Sequence, residues 1–312
     1  MSERIIIGTR GSALARVQAV WVKDRLEARH PDLSVDLEII RTQGDKILDV
    51  PLAQVGGKGL FVKEIEEALL DGRVDLAVHS MKDVPTELPE GLFIAATPER
   101  EDFRDALITR EIPGLDELPQ GARVGTSSLR RRAQLLRLRP DLDVLPLRGN
   151  VDTRLRKLEG EGLDAVVLAA AGLARLGLIH RVVQMLEPER MLPAIGQGAL
   201  GLEARRGDER VLARIDFLNH PTTALCVSAE RAFLEYLEGG CQVPLAALAR
   251  IEGGRLRLAG LIADPDGRRF YRDGTEARPD EGREAGRRLA QDLLNRGGRE
   301  VLDEIYRAEE SK

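Results

Sequence analysis

A chain of 312 residues with net charge −5, 43% hydrophobic and 32% charged residues has the make-up of a globular protein large enough for two or three compact domains. Aromatic residues make up 3%, so any core must be built from Leu, Val, Ile and Ala, and the negative balance argues against generic binding of nucleic acid or acidic membrane. The start of the chain shows no basic leader before an apolar stretch, and no apolar run reaches the roughly eighteen residues of a membrane span. Cys226 and Cys241 are its only cysteines, too few for a disulfide framework, and the compartment expected is a reducing cytoplasm.

In chain order, residues 4–8 read as a strand, 12–28 as a helix and 35–40 as the next strand. Residues 60–70 carry apolar side chains at helical spacing and stop at Gly72, after which 74–78 return as a buried strand. This alternation continues through about two-thirds of the chain and predicts an α/β fold with mainly parallel strands. Ile7-Gly8-Thr9-Arg10-Gly11-Ser12 is echoed by Val124-Gly125-Thr126-Ser127-Ser128, and residues 72–78 by 162–168, which suggests two lobes of similar construction. Proline and glycine punctuate 97–102 and 192–198, as expected of crossover strands or hinges. Past His220 the character changes. A helix over 223–237 leads to the loop Gly239-Gly240-Cys241-Gln242-Val243-Pro244, then strand-like segments turn at Gly253-Gly254 and Asp264-Pro265-Asp266-Gly267. A helix over 284–295 and a further turn or two at 300–306 complete a small α/β domain.

Between Arg123 and Lys157 lie nine arginines and one lysine against only Asp141, Asp143 and Asp152. Arg130, Arg131 and Arg148 follow strand ends, where helix amino termini offer free N–H groups and the positive end of the helix dipole. The planar arginine fork suits carboxylates. Arg10, beside Thr9 and Ser12, falls in the same class, whereas Arg137 and Arg139 read as a solvated helix face. Ligands of open α/β sheets bind at the carboxyl ends of strands, so these positions predict a cleft for a polyanion between two lobes. RNA would suit such a cleft, but the basic segment lacks interleaved aromatics for base stacking.

Val78-His79-Ser80-Met81-Lys82-Asp83-Val84-Pro85 places Lys82 and Asp83 together at a strand end. A carboxylate there can accept an N–H bond, stabilise a developing cation and move protons; the competing reading is a turn aspartate bonded to its own backbone. Cys226, among apolar neighbours, reads as buried. Cys241, behind two glycines, reads as a reactive or modified thiol. No histidine is spaced with these cysteines as a metal-ligand pair, and no local motif supports Cys–His hydrolysis. Gly56, Gly57 and Gly59 surround Lys58 without P-loop spacing, which favours a flexible lid over a phosphate site.

Taken together, Thr9-Arg10-Gly11-Ser12, Gly56-Gly57-Lys58-Gly59-Leu60-Phe61, His79-Ser80-Met81-Lys82-Asp83-Val84-Pro85, Val124-Gly125-Thr126-Ser127-Ser128-Leu129-Arg130-Arg131, Leu147-Arg148-Gly149-Asn150-Val151, Pro193-Ala194-Ile195-Gly196-Gln197-Gly198 and the Cys241 loop closely resemble the porphobilinogen deaminase (hydroxymethylbilane synthase) family. The matches run in the family's order over nearly the whole chain. The resemblance implies three domains: a first lobe over 1–98 plus 199–217, a second over 99–198, and a carboxyl-terminal domain over 218–312. It implies that the first two are built like a periplasmic-binding-protein pair. It further implies a dipyrromethane cofactor held by a thioether to Cys241, and head-to-tail joining of four porphobilinogen molecules with loss of ammonia, ending in hydrolytic release of hydroxymethylbilane. On the family pattern Asp83 and Lys82 are catalytic, and Ser12, Lys82, Asp83, Thr126, Ser127, Ser128, Arg130, Arg131, Arg148 and Gly149 hold the cofactor. Arg10, Lys58, Ser80, Arg154, Arg175 and Gln197 bind substrate, no metal is involved, and the family favours a monomer. The competing readings are a non-catalytic two-lobed protein that binds an anionic small molecule, and an RNA-binding protein.

Overall fold

The structure is a computed structural model in which residues 3–46, 59–238 and 243–310 are described. The described residues divide into two compact units, one of residues 3–46, 59–101 and 198–224, the other of residues 102–197, 225–238 and 243–310.

In the first unit, β1 (Glu3–Arg10) pairs in parallel with β2 (Leu33–Ile40) after the helix α1 (Ala13–Arg29), and a short helix α2 (Gln43–Lys46) follows. The next helix, α3 (Lys63–Leu70), begins three residues later than its apolar spacing suggests, because residues 59–62 form the turn that carries its first hydrogen bonds. β3 (Leu76–Ser80) also starts two residues later than expected. Arg73 and Val74 donate their N–H groups back to the Ala68 carbonyl and so close the helix, while Asp75 bonds the β1 backbone at Ile6 through its own N–H and its carboxylate. His79 and Ser80 therefore belong to the strand. β4 (Leu92–Ala96) completes this stretch.

In the second unit, β5 (Asp105–Thr109), β6 (Arg123–Gly125), the helix α4 (Leu129–Leu138), β7 (Asp143–Leu145), the helix α5 (Val151–Gly160), β8 (Ala165–Ala169), the helix α6 (Ala170–Arg175) and β9 (Gln184–Leu186) follow one another. Their sheet has the order β7-β6-β8-β5-β9, with β6 parallel to both β7 and β8. The chain then re-enters the first unit as β10 (Leu200–Arg205) and α7 (Glu209–Ile215), giving a sheet in the order β2-β1-β3-β10-β4. β10 runs antiparallel to its neighbours.

α8 (Pro221–Tyr236) leads to an antiparallel sheet of β11 (Leu245–Glu252), β12 (Arg255–Ala263) and β13 (Phe270–Ala277), followed by α9 (Gly282–Leu293) and α10 (Arg299–Glu310). Its core joins Phe233 and Cys226 to Leu258, Ile262 and Leu289, almost wholly aliphatic as the composition requires. Among the described residues no helix is long and apolar enough to cross a membrane.

Candidate active site

Parallel pairing of β1 with β2 and β3 brings the carboxyl ends of these strands to one edge of the first unit. Arg10 ends β1 and lays its guanidinium over the Phe61 ring, 4.2 Å from the centroid. Ser12 caps α1, its Oγ accepting from Ala15 N–H at 3.3 Å. Ser80, the last residue of β3, exchanges hydrogen bonds with the buried Gln18 side chain at 2.9 and 3.3 Å. Lys82 and Asp83 stand in the single helical turn Met81–Asp83 directly after the strand. Met81 N–H donates to Ala199 C=O at 3.0 Å, and Val84 N–H to Met81 C=O at 3.1 Å, so the turn is fixed from both sides. Asp83 is half-buried, and among the described residues its carboxylate makes no hydrogen bond or ion pair. The backbone-capping geometry of an ordinary turn aspartate is absent, which leaves both carboxylate oxygens available.

The second unit repeats the device. The carboxyl ends of β7, β6 and β8 lie side by side, so residues 126–131, 146–154 and 170–175 share one edge. Thr126 Oγ1 accepts from Ser128 N–H at 3.2 Å, and Ser128 caps α4 by accepting from Arg131 N–H at 3.4 Å. Ser127 Oγ donates to Leu147 C=O at 2.9 Å and accepts Leu147 N–H at 3.0 Å, which ties the β6 turn to the residue before Arg148. Gly149 follows with φ of 111°, a left-handed conformation in which a Cβ would lie 2.6 Å from the Thr153 methyl. Arg154 reaches back from α5 to donate to Gly149 C=O at 2.8 Å, and Arg175 ends α6, half-buried.

The three arginines singled out at strand ends do not share one environment. Arg130 and Arg131, each 5% exposed, form ion pairs of 2.7 and 2.8 Å with Asp105, which is fully buried at the start of β5. Gln197 donates to the same carboxylate at 3.0 Å and to Phe103 C=O at 2.8 Å. Burial alone would raise the Asp105 carboxyl, but the Arg130 and Arg131 guanidinium groups and the Gln197 amide hold it well below the carboxylate range. Arg130, Arg131 and Gln197 thus already surround a carboxylate, and that carboxylate is the protein's own. Sequence reasoning missed Asp105 because a charged residue beginning a strand carries no signal of partners 25 and 26 positions away. Arg148 is the contrast. It is half-buried, desolvation depresses its pKa, and among the described residues it has no hydrogen-bonding or acidic partner. A desolvated guanidinium without a counter-charge favours an anionic ligand.

Arg137, expected on a solvated face, is exposed, but Arg139 is not free: it pairs with Asp141 at 2.7 Å and donates to the carbonyls of Leu115 and Leu118. Cys226 is buried, as expected. Gly56, Gly57, Lys58, Gly239, Gly240, Cys241 and Gln242 lie outside the described residues. Among the described residues no three His, Cys, Asp or Glu side chains gather as a metal site.

Fold and site together define an α/β chain whose parallel-strand ends carry an available carboxylate in one unit and an arginine-rich edge in the other. The chain belongs to the porphobilinogen deaminase family. Residues 5–213 match the domain described as "Porphobilinogen deaminase, dipyromethane cofactor binding domain", and residues 224–295 match "Porphobilinogen deaminase, C-terminal domain". Similar proteins named porphobilinogen deaminase include one from Pelobacter propionicus, 60% identical over 97% of each chain. Another is from Geotalea uraniireducens, 58% identical over 98% of this chain and 96% of the relative. Among solved structures, the methionine-binding protein MetQ is similar over 68% of this chain and 87% of its own, at 14% identity and a TM-score of 0.44. The enzyme names of the relatives do not favour the non-catalytic alternative.

Proposed function

We propose that this chain joins four porphobilinogen molecules head to tail on a dipyrromethane primer, releasing ammonia at each joining and finally hydroxymethylbilane by hydrolysis. The observation that carries this reading is a half-buried carboxylate, Asp83, fixed at a strand end and uncommitted within the described residues of a chain matching both family domains.

The donor set suits the cofactor. Each pyrrole bears acetate and propionate side chains, and Arg148 offers a partly desolvated fork without a counter-charge among the described residues. Thr126, Ser127 and Ser128 fix the turn beside it, and the φ of Gly149 keeps the backbone close. When bound through Cys241, the dipyrromethane supplies the nucleophilic pyrrole terminus on which the chain grows. Asp83 accepts the pyrrole N–H of the incoming porphobilinogen and stabilises the positive charge that develops as the C–N bond breaks and the electron pair leaves on nitrogen. It takes the proton lost from the ring carbon once the new C–C bond has formed. Lys82, adjacent on the same turn, pairs with substrate carboxylates, as do Arg10, Arg154 and Arg175. Arg130, Arg131 and Gln197 shape the arginine edge of the second unit through Asp105.

The separate sheets of the second unit support the division into an arginine-rich lobe and a carboxyl-terminal domain. A monomer in the cytoplasm completes the reading. Intact-mass measurement of the purified protein tests it: the expected mass exceeds that of the sequence by one dipyrromethane, and the excess disappears in C241S. Active protein with the bare sequence mass would overturn the attachment.

A further inference from the structure

The mechanism leaves three buried titratable groups of the first unit unused. α3 packs Ile65, Ala68 and Leu69 against Val74, Ala77 and Leu92, and between these helix positions Glu66 is itself only 6% exposed. Ala77 and His79 are two apart on β3 and so face the same layer. Glu203 on β10 is paired with Ala77 in the antiparallel register, which sets it diagonally beside His79. The Glu203 and His79 side chains, 0% and 3% exposed, meet at 2.9 Å between Oε2 and Nε2. Oε1 of Glu66 and Oε1 of Glu203 are both buried without a hydrogen-bond partner among the described residues.

Two carboxylates and one imidazole in an aliphatic layer are stable only near electrical neutrality, because a net buried charge without a counter-ion is strongly disfavoured. The other charged groups nearby do not supply one. From β10, Arg205 is committed to the Leu69 and Val74 carbonyls and to Asp75 and Asp208. Glu67 on the same helix adds further negative charge, while Ile6 of β1 and Leu92 of β4 pack in this layer as apolar neighbours. Burial, reinforced by Glu203 and Glu67 and opposed by His79, pushes the Glu66 carboxyl up to about 7. The same elements govern the turn bearing Lys82 and Asp83. His79 is one residue from the Ser80–Gln18 clamp, and Met81 is held by the Ala199 carbonyl just before β10 and by Gly201 within it, where a Cβ would lie 3.1 Å from the Met81 methyl.

We propose that the buried His79–Glu203 pair, with Glu66 in the layer beside it, forms a brace that positions the Ser80–Asp83 turn for catalysis. The brace deepens the functional reading above and rests on it for its effect on turnover. The expected result is that H79A, E203A and E66A lower kcat for porphobilinogen consumption by roughly tenfold to a hundredfold with little change in KM, as a small misplacement of a catalytic group does. E66Q, which keeps the shape and the donor of a neutral acid, recovers most of the kcat that E66A loses.

Two further readouts do not depend on turnover. The raised Glu66 value means that the folded state holds this proton more tightly than the unfolded state, so its effect is a loss of stability as pH rises from about 4.5 to about 7. The melting temperature of E66Q should lack that part of the decline, and the infrared band of a protonated carboxyl should be missing from it. An E66Q protein with the wild-type pH dependence and infrared band would overturn the brace. So would E66Q as slow as E66A, or H79A and E203A with wild-type kcat. Wild-type protein that consumes no porphobilinogen would instead sink the functional reading, while the melting and infrared data judge the neutral cluster on their own.

Discussion

At the scale of single residues, the arginines of the second unit divide by what their forks already hold. Arg131 is locked on Asp105 inside the protein, whereas Arg148 is partly desolvated and has no acidic partner among the described residues. Removing Arg131 takes one of two guanidinium partners from Asp105, leaving Arg130 and Gln197, and frees the Val167 carbonyl, so R131A should lose about 1–3 kcal/mol in urea unfolding. Asp105 titrates below the ordinary carboxylate range, so the stabilisation from its pairing is present above that range and is lost only as pH falls through the lowered value. R148A should unfold close to wild type yet raise KM for porphobilinogen by roughly tenfold, the worth of a charged hydrogen bond. The reverse ranking, with R148A unstable and R131A intact, would show that the two roles have been exchanged. Asp83 belongs to the same scale. D83N keeps the shape of the side chain but cannot take a proton, and should lower kcat by about 10²- to 10⁴-fold at unchanged melting temperature. Near-wild-type kcat would remove Asp83 from the chemistry.

At the scale of elements, the chain is legible where local signals and packing agree. Strand-end motifs such as Gly125-Thr126-Ser127-Ser128 lie where the alternation of strands and helices places them, because a small residue, a hydroxyl cap and a following helix are local facts. β3 is displaced by two residues because its start is decided by Asp75 bonding β1 and by the closure of α3, neither visible in the apolar run 74–78. Partners distant in sequence were illegible for the same reason: Asp105 with Arg130, and His79 with Glu203, 124 positions apart, meet only through sheet order. The β12–β13 turn is legible from Asp264-Pro265-Asp266-Gly267, but its docking is not. Gly267, with φ of 69°, lies where a Cβ would be 2.2 Å from Ala133 C=O on α4. G267A combines left-handed strain with a backbone clash and should destabilise by about 2 kcal/mol or more, read as a lower urea midpoint at unchanged slope. An unchanged midpoint would mean that the hairpin does not rest on α4.

At the scale of the whole molecule, charge is distributed against its own sum. The chain carries −5 overall, yet residues 123–157 hold nine arginines and a lysine against three aspartates, and the parallel-strand ends place Arg148, Arg154 and Arg175 on one edge. A substrate with two carboxylates is repelled by the average surface and drawn to that edge. On the proposed function, the net field confines binding to the edge without adding affinity elsewhere. Such attraction acts over a Debye length, about 10 Å at 0.1 M salt, while the proton transfers assigned to Asp83 occur at contact distance and are screened far less. Raising sodium chloride from about 0.05 to about 0.5 M should therefore raise KM for porphobilinogen several-fold and leave kcat nearly constant. In R148A the same titration should give a shallower rise. A KM indifferent to salt would mean that the arginine edge acts only through direct contacts, and a kcat that fell in parallel would place the screened charges in the chemical step.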